Sequence, residues 1–206
     1  VEEVFKMDEN AGEKIDIFGE DYLERINRIK LPNTKIKILQ QLLKMAIEDF
    51  KKVNKIKGVD FSKRLQNIVD QYNERSEDMV LANDVLDDLA GQMADLLRDL
   101  KTEKFSFEKM GIDFEEKSFY DILKDIRDKY KFKYSEEQLI ALAKDIKIIV
   151  DDKAKYTDWS EREDIKAELK VDLILKLAEH GYPPVTRDEV YKEIFEQAEN
   201  FRKYRE

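Results

Sequence analysis

From Asn33 onward, apolar positions recur every three or four residues, the period of a helix that buries one face. Leu39, Leu42, Leu43, Ala46, Phe50 and Val53 form the first stripe, with Asn33 as the expected cap and Gly58 as the expected stop. Ser62 precedes Leu65, Ile68, Val69 and Tyr72; Leu86, Leu89, Met93, Leu96, Leu97 and Leu100 make a third stripe; Phe119, Tyr120, Leu123, Ile126 and Tyr130 make a fourth. Three capping boxes then predict helix starts: Ser135 with Gln138, Ser160 with Glu163, and Thr186 with Glu189. The helix running from Ser160 carries Ile165, Leu169, Leu173 and Leu177, and is expected to end at Gly181 ahead of Pro183-Pro184. Before Pro32 the pattern is weaker. Val4–Met7 and Ile15–Phe18 flank Asn10-Ala11-Gly12 as a short hairpin or strap, followed by helical spacing from Tyr22 to Ile29. Residues 101–117 read as the longest irregular stretch. The expected fold is all-α: an irregular bundle of seven to eight helices over 32–206, with an irregular or hairpin lead-in and a short helix over 1–31.

Composition agrees with that reading. Leu, Ile, Val and Phe supply 60 of 206 residues, enough for a real core despite 41% charged residues. Only six glycines and three prolines leave little material for the turns that many short strands need. The absence of cysteine excludes disulfides, thiolate metal sites and a Cys nucleophile, and fits a cytoplasmic protein. A single histidine, His180, excludes a three-His zinc site; its place before Gly181 suits a helix C-terminus, where the dipole favours a cation. No apolar run reaches the roughly 18 residues of a membrane span, so no membrane partner is expected. The chain begins at Val1 and reads as a piece of a longer polypeptide.

The net charge of −9 is unevenly spread. Residues 30–57 hold eight lysines and two acids, and 74–100 hold eight acids and two arginines, which predicts a polarised helical hairpin. Lys51, Lys52, Lys55 and Lys57 are the candidate DNA contacts, set against the alternative of a solvated face. There is no phosphate-cradling Gly-x-x-x-x-Gly-Lys-Ser/Thr and no Gly-x-Gly-x-x-Gly. Asp-x-Lys and Glu-x-Lys trios at 145–147, 164–166 and 168–170 have the composition of a magnesium nuclease site but lie in helical patterns, where solvated faces explain them. Trp159, the lone Trp, stands just before Ser160, as a packed anchor or an interface hot spot.

The series Asp158-Trp159-Ser160-Glu161-Arg162-Glu163, running through Leu169 and Leu177 to His180-Gly181-Tyr182-Pro183-Pro184, resembles the C-terminal helical domain of the restriction (motor) subunit of type I restriction-modification enzymes. Glu196-Gln197-Ala198-Glu199, Phe61–Leu65, Tyr72–Ser76 and Phe119–Leu123 extend the likeness over about residues 30–202. Asp172 and Glu179 make the helix before Gly181 more acidic than is usual there. The resemblance implies a subunit with a Mg²⁺ nuclease and ATP-driven motor domains elsewhere, so that ATP and Mg²⁺ belong outside this chain. It also implies a helical domain that docks the motor subunit onto the methyltransferase (modification) subunit, and it transfers no catalytic, cofactor-binding or metal-binding residue to this chain. The expected function is assembly, with Trp159, Arg162, Lys166, Lys170 and Tyr182 as candidate interface residues. The alternative is a DNA-contacting helical clamp near the motor, making a weak contact through 30–57.

Overall fold

A computed structural model of the chain describes residues 20–74, 83–156, 158–184 and 187–204. The possible hairpin of residues 4–18 and the Thr186 cap lie outside the described residues. Among the described residues there are eight α-helices, one 3₁₀ turn and no strand. The helices are α1 (Glu20–Asn27), α2 (Pro32–Val53), α3 (Lys55–Asn73), α4 (Asn83–Lys104), α5 (Phe114–Tyr130), α6 (Glu136–Ala154), α7 (Glu163–Glu179) and α8 (Arg187–Tyr204). None of them is long and apolar enough to cross a membrane.

The apolar stripes converge on two cores. Ile26, Leu39, Leu43, Phe61, Leu86 and Leu97 belong to the first, which α1–α4 enclose. Phe119, Leu142, Ile146, Leu173, Tyr182 and Ile194 belong to the second, which α5–α8 enclose. In the first half α2 packs against both α3 and α4; in the second α5 packs against α6, α6 against α7, and α8 lies on α5. Helix α8 also touches α2, and α5 touches α3, so the halves meet along one junction.

Several helix ends differ from the sequence expectation. Pro32 opens α2 at its first turn, after Leu31 in extended backbone and with no side-chain cap, which displaces Asn33 from that role. Gly58 does not stop a helix. The break falls at Asn54, and Gly58 lies in the first turn of α3, where a Cβ would stand 2.4 Å from Lys51 Cγ and 2.9 Å from Lys51 Cα. Its lack of a side chain lets the end of α2 and the start of α3 approach. Ser62 lies inside α3 rather than before it. The stretch 101–117 is mostly ordered into elements: α4 runs to Lys104, a 3₁₀ turn spans Ser106–Met110, and Asp113 with Glu116 forms a capping box for α5. The basic and acidic segments are not one hairpin, because α3 intervenes between α2 and α4. The Ser135–Gln138 box opens α6 as expected.

Candidate functional site

The junction between the halves is built from polar side chains where α2 gives way to α3. Asn54 leaves the helical region (φ −139°, ψ 95°), and its Oδ1 accepts the Lys57 backbone N–H at 3.1 Å, capping α3. Its Nδ2 donates to Asp121 Oδ2 of α5 at 2.6 Å. Lys117, one turn before Asp121, donates to both Asp121 oxygens at 2.6 Å and to Glu103 of α4 at 2.7 Å. Asn54, Lys117 and Asp121 are all buried. Burial pushes the Asp121 carboxyl up from its ordinary value, against the opposing pull of Lys117 and, more weakly, of Lys57.

From the other side α8 caps the end of α2. The last carbonyls of a helix have no intrahelical partner. Here Gln197 Nε2 donates to Val53 O at 3.1 Å, and Asn200 Nδ2 donates to Lys51 O at 2.7 Å and to Lys52 O at 2.9 Å. Gln197 Oε1 also accepts the Lys55 N–H at 2.9 Å, and Lys55 pairs with Glu196. The break at Asn54 is thus where α2, α3, α5 and α8 meet, with Asn54 bonding to α5 and Gln197 of α8 bonding to the residues on either side. Sequence reasoning missed this network. Its signals were the Lys117/Asp121 spacing and an Asn in the middle of a long helical pattern.

The same network engages the candidate DNA-contacting lysines. Lys51 pairs with Glu48 at 2.6 Å, Lys52 with Asp49 at 2.7 Å, and Lys55 with Glu196, while Lys57 adds its charge to the Asp121 environment. Lys51, Lys55 and Lys57 are half-buried and Lys52 is exposed.

The segment from Trp159 to Tyr182 divides between core and surface. Trp159 and Tyr182 are each only 1% exposed. The Tyr182 hydroxyl donates to Leu123 O at 2.9 Å, and its ring meets Phe132 and Tyr134 edge-on at 5.2 Å. Trp159 helps line a small cavity of about 130 Å³ with Phe119, Val150, Ala198, Phe201 and Arg202, and its Nε1–H has no hydrogen-bond acceptor among the described residues. Both rings shape the domain from within rather than facing a partner. Arg162, not Ser160, occupies the N-cap of α7 and has no side-chain cap bond; the Ser160 hydroxyl instead accepts from Arg202. Arg162 pairs with Asp164 across the first turn. Lys166 is half-buried beside the core stripe and pairs with Glu163 at 3.4 Å, and Lys170 sits over the Tyr191 ring of α8 at 5.6 Å. Lys166 and Lys170 thus flank the buried stripe on the α8 side instead of standing opposite it.

The residues opposite the buried stripe are apolar. Ala167, Val171, Leu175 and Ala178 recur at helical spacing on the outward face of α7, all exposed. That second stripe was visible in the sequence but overshadowed by the longer side chains at Ile165, Leu169, Leu173 and Leu177. At the far end, Gly181 takes the left-handed conformation (φ +67°), the Tyr182 N–H bonds to Leu177 O at 2.8 Å, and His180 Nε2 lies 2.9 Å from Asp145 Oδ2 of α6.

Among the described residues, no three His, Asp or Glu side chains converge as a ligand set for a metal ion. The family described as "Type I restriction enzyme HindI endonuclease subunit-like, C-terminal" matches residues 1–204. The chain is 25% identical over 197 residues to the type I restriction enzyme HindI endonuclease subunit of Haemophilus influenzae, covering 96% of this chain and 18% of that protein. It is 20% identical over 204 residues to a Methanocaldococcus jannaschii protein whose name proposes it as the type I restriction enzyme MjaIXP endonuclease subunit, covering 96% and 18%. The chain thus spans less than a fifth of the length of these curated relatives. No solved structure matches it. With the match running over nearly its whole length, the chain belongs to the family of C-terminal regions of HindI-like type I restriction endonuclease subunits.

Proposed function

We propose that the chain is the assembly element of an endonuclease subunit, docking it onto the methyltransferase subunit of a type I restriction-modification complex. The observation that carries this reading is the junction. Two apolar cores are tied by buried hydrogen bonds from Asn54, Asp121, Lys117 and Gln197, so the surfaces of both halves keep a fixed relation. A docking element needs such fixed surfaces, since flexible ones lose affinity to ordering. The family supports the wider setting, and the family resemblance supplies the partner. Cleavage and ATP hydrolysis, with their Mg²⁺ and nucleotide, reside in other parts of the subunit.

The test has two arms. The 206-residue chain, mixed with the purified methyltransferase subunit, sediments as a complex without nucleotide. The chain with Mg²⁺, ATP and duplex DNA yields neither cleavage nor phosphate release. Independent sedimentation of the two proteins removes the docking reading, and DNA cleavage by the chain assigns it chemistry instead.

A further inference from the structure

The outward side of the α6/α7 pair combines exposed aliphatic side chains with a line of carboxylates. Val171 and Leu175 on α7 are 53% and 56% exposed, and Ile148 on α6 is 65% exposed. Ion pairs fix the register of the two antiparallel helices. Asp145 meets Lys176 at 3.7 Å and His180 at 2.9 Å, while Lys153 meets Glu168 and Asp172 at 3.2 Å. In that register Ile148 stands level with Leu175, and helical spacing points both away from the core on the same side of the seam. The seam runs between these aliphatic ridges. Its carboxylates Asp145, Glu168, Asp172 and Glu179 face two lysines, Lys153 and Lys176, leaving a negative groove.

Exposed aliphatic residues scattered singly need no explanation. Ala167, Val171, Leu175 and Ala178 are not scattered: they form a continuous stripe of small and medium side chains over three turns, which lets another helix approach closely. Resting on the docking reading above, we infer that this groove receives an amphipathic helix of the methyltransferase subunit. Apolar residues of that helix at i, i+3/i+4 and i+7 pack over Val171, Leu175 and Ile148, and a Lys/Arg edge lies along Glu168 and Asp172. A second copy of the chain fits less well. A two-fold contact sets each patch against itself and would bring one negative groove onto another.

The experiment measures the affinity of the 206-residue chain for the purified methyltransferase subunit, native and with Val171→Glu plus Leu175→Glu. Both positions are exposed, so melting should stay close to native and confirm folding. The expected result is an affinity at least about tenfold weaker, with Glu168→Lys plus Asp172→Lys also weakening it and flattening its dependence on salt. Unchanged affinity in the apolar variant overturns this assignment while leaving docking intact. No binding by the native chain removes docking itself. A concentration-dependent dimer of the chain that the apolar variant abolishes assigns the face to self-association and likewise overturns the inference.

Discussion

Asp121 and Lys117 are the most connected side chains of the junction: buried Asp121 accepts from Asn54 and Lys117, and Lys117 donates to Asp121 and Glu103. Removing one member of a buried charge pair leaves the other uncompensated, at a cost of about 3–5 kcal/mol. Asp121→Ala should lose stability on that scale in urea unfolding. Replacing the pair together, Lys117→Met with Asp121→Leu, should recover part of the loss, because no buried charge is stranded although the buried Asn54 amide still loses its acceptor. A double variant no more stable than Asp121→Ala would contradict this assignment. At the surface, Glu189 is held below its ordinary value of 4.5, first by the Lys129 bond and then by the Tyr130 hydroxyl. A carboxylate depressed in the folded state contributes stability above its unfolded pKa and loses it as pH falls through the folded value. Glu189→Gln should therefore lower stability slightly at neutral pH and flatten the acid limb of the profile below about pH 4.5, where the native protein loses the same contribution. An unchanged acid limb would show that the Lys129–Glu189 contact contributes nothing.

Elements were legible wherever periodicity and caps coincided. The stripe and the Ser135–Gln138 box both placed α6, and the Gly181-Tyr182-Pro183-Pro184 run placed the end of α7. What the sequence concealed were ends decided by contacts with distant helices. Gly58 looked like a stop because glycine usually terminates helices, whereas here it makes room for Lys51 of the preceding helix. Gly58→Ala should cost about 1–3 kcal/mol, since the clash includes the backbone Cα of Lys51 and not only a flexible side chain. A native-like melting temperature in that variant would show that α2 and α3 can spread freely. The candidate surface residues were only partly legible for the same reason. Trp159 and Tyr182 are strong interface types, yet ring contacts and a hydrogen bond to Leu123 O draw Tyr182 inward, and Trp159 fills the space between α5, α6 and α8. Leu173→Ala should unfold α7 from the core at about 2–5 kcal/mol. Reversing Arg162, which is exposed, to Glu should change melting little, because exposed pairs contribute little.

For the molecule as a whole, the decisive feature is that its two cores are tied by a network of polar hydrogen bonds beside the apolar contact that Ile56 of α3 makes with the second core. The caps that Gln197 and Asn200 place on α2 couple the last helix of the second half to α2 of the first. On the proposed function, this hydrogen-bonded pair of cores is the block through which the endonuclease subunit attaches. The most direct measurement is a comparison of the endonuclease subunit carrying this chain with the same subunit lacking it, each sedimented with the methyltransferase subunit. The account predicts that the intact subunit enters the complex and the shortened one does not, while the shortened subunit stays folded. Entry of the shortened subunit with undiminished affinity would contradict it.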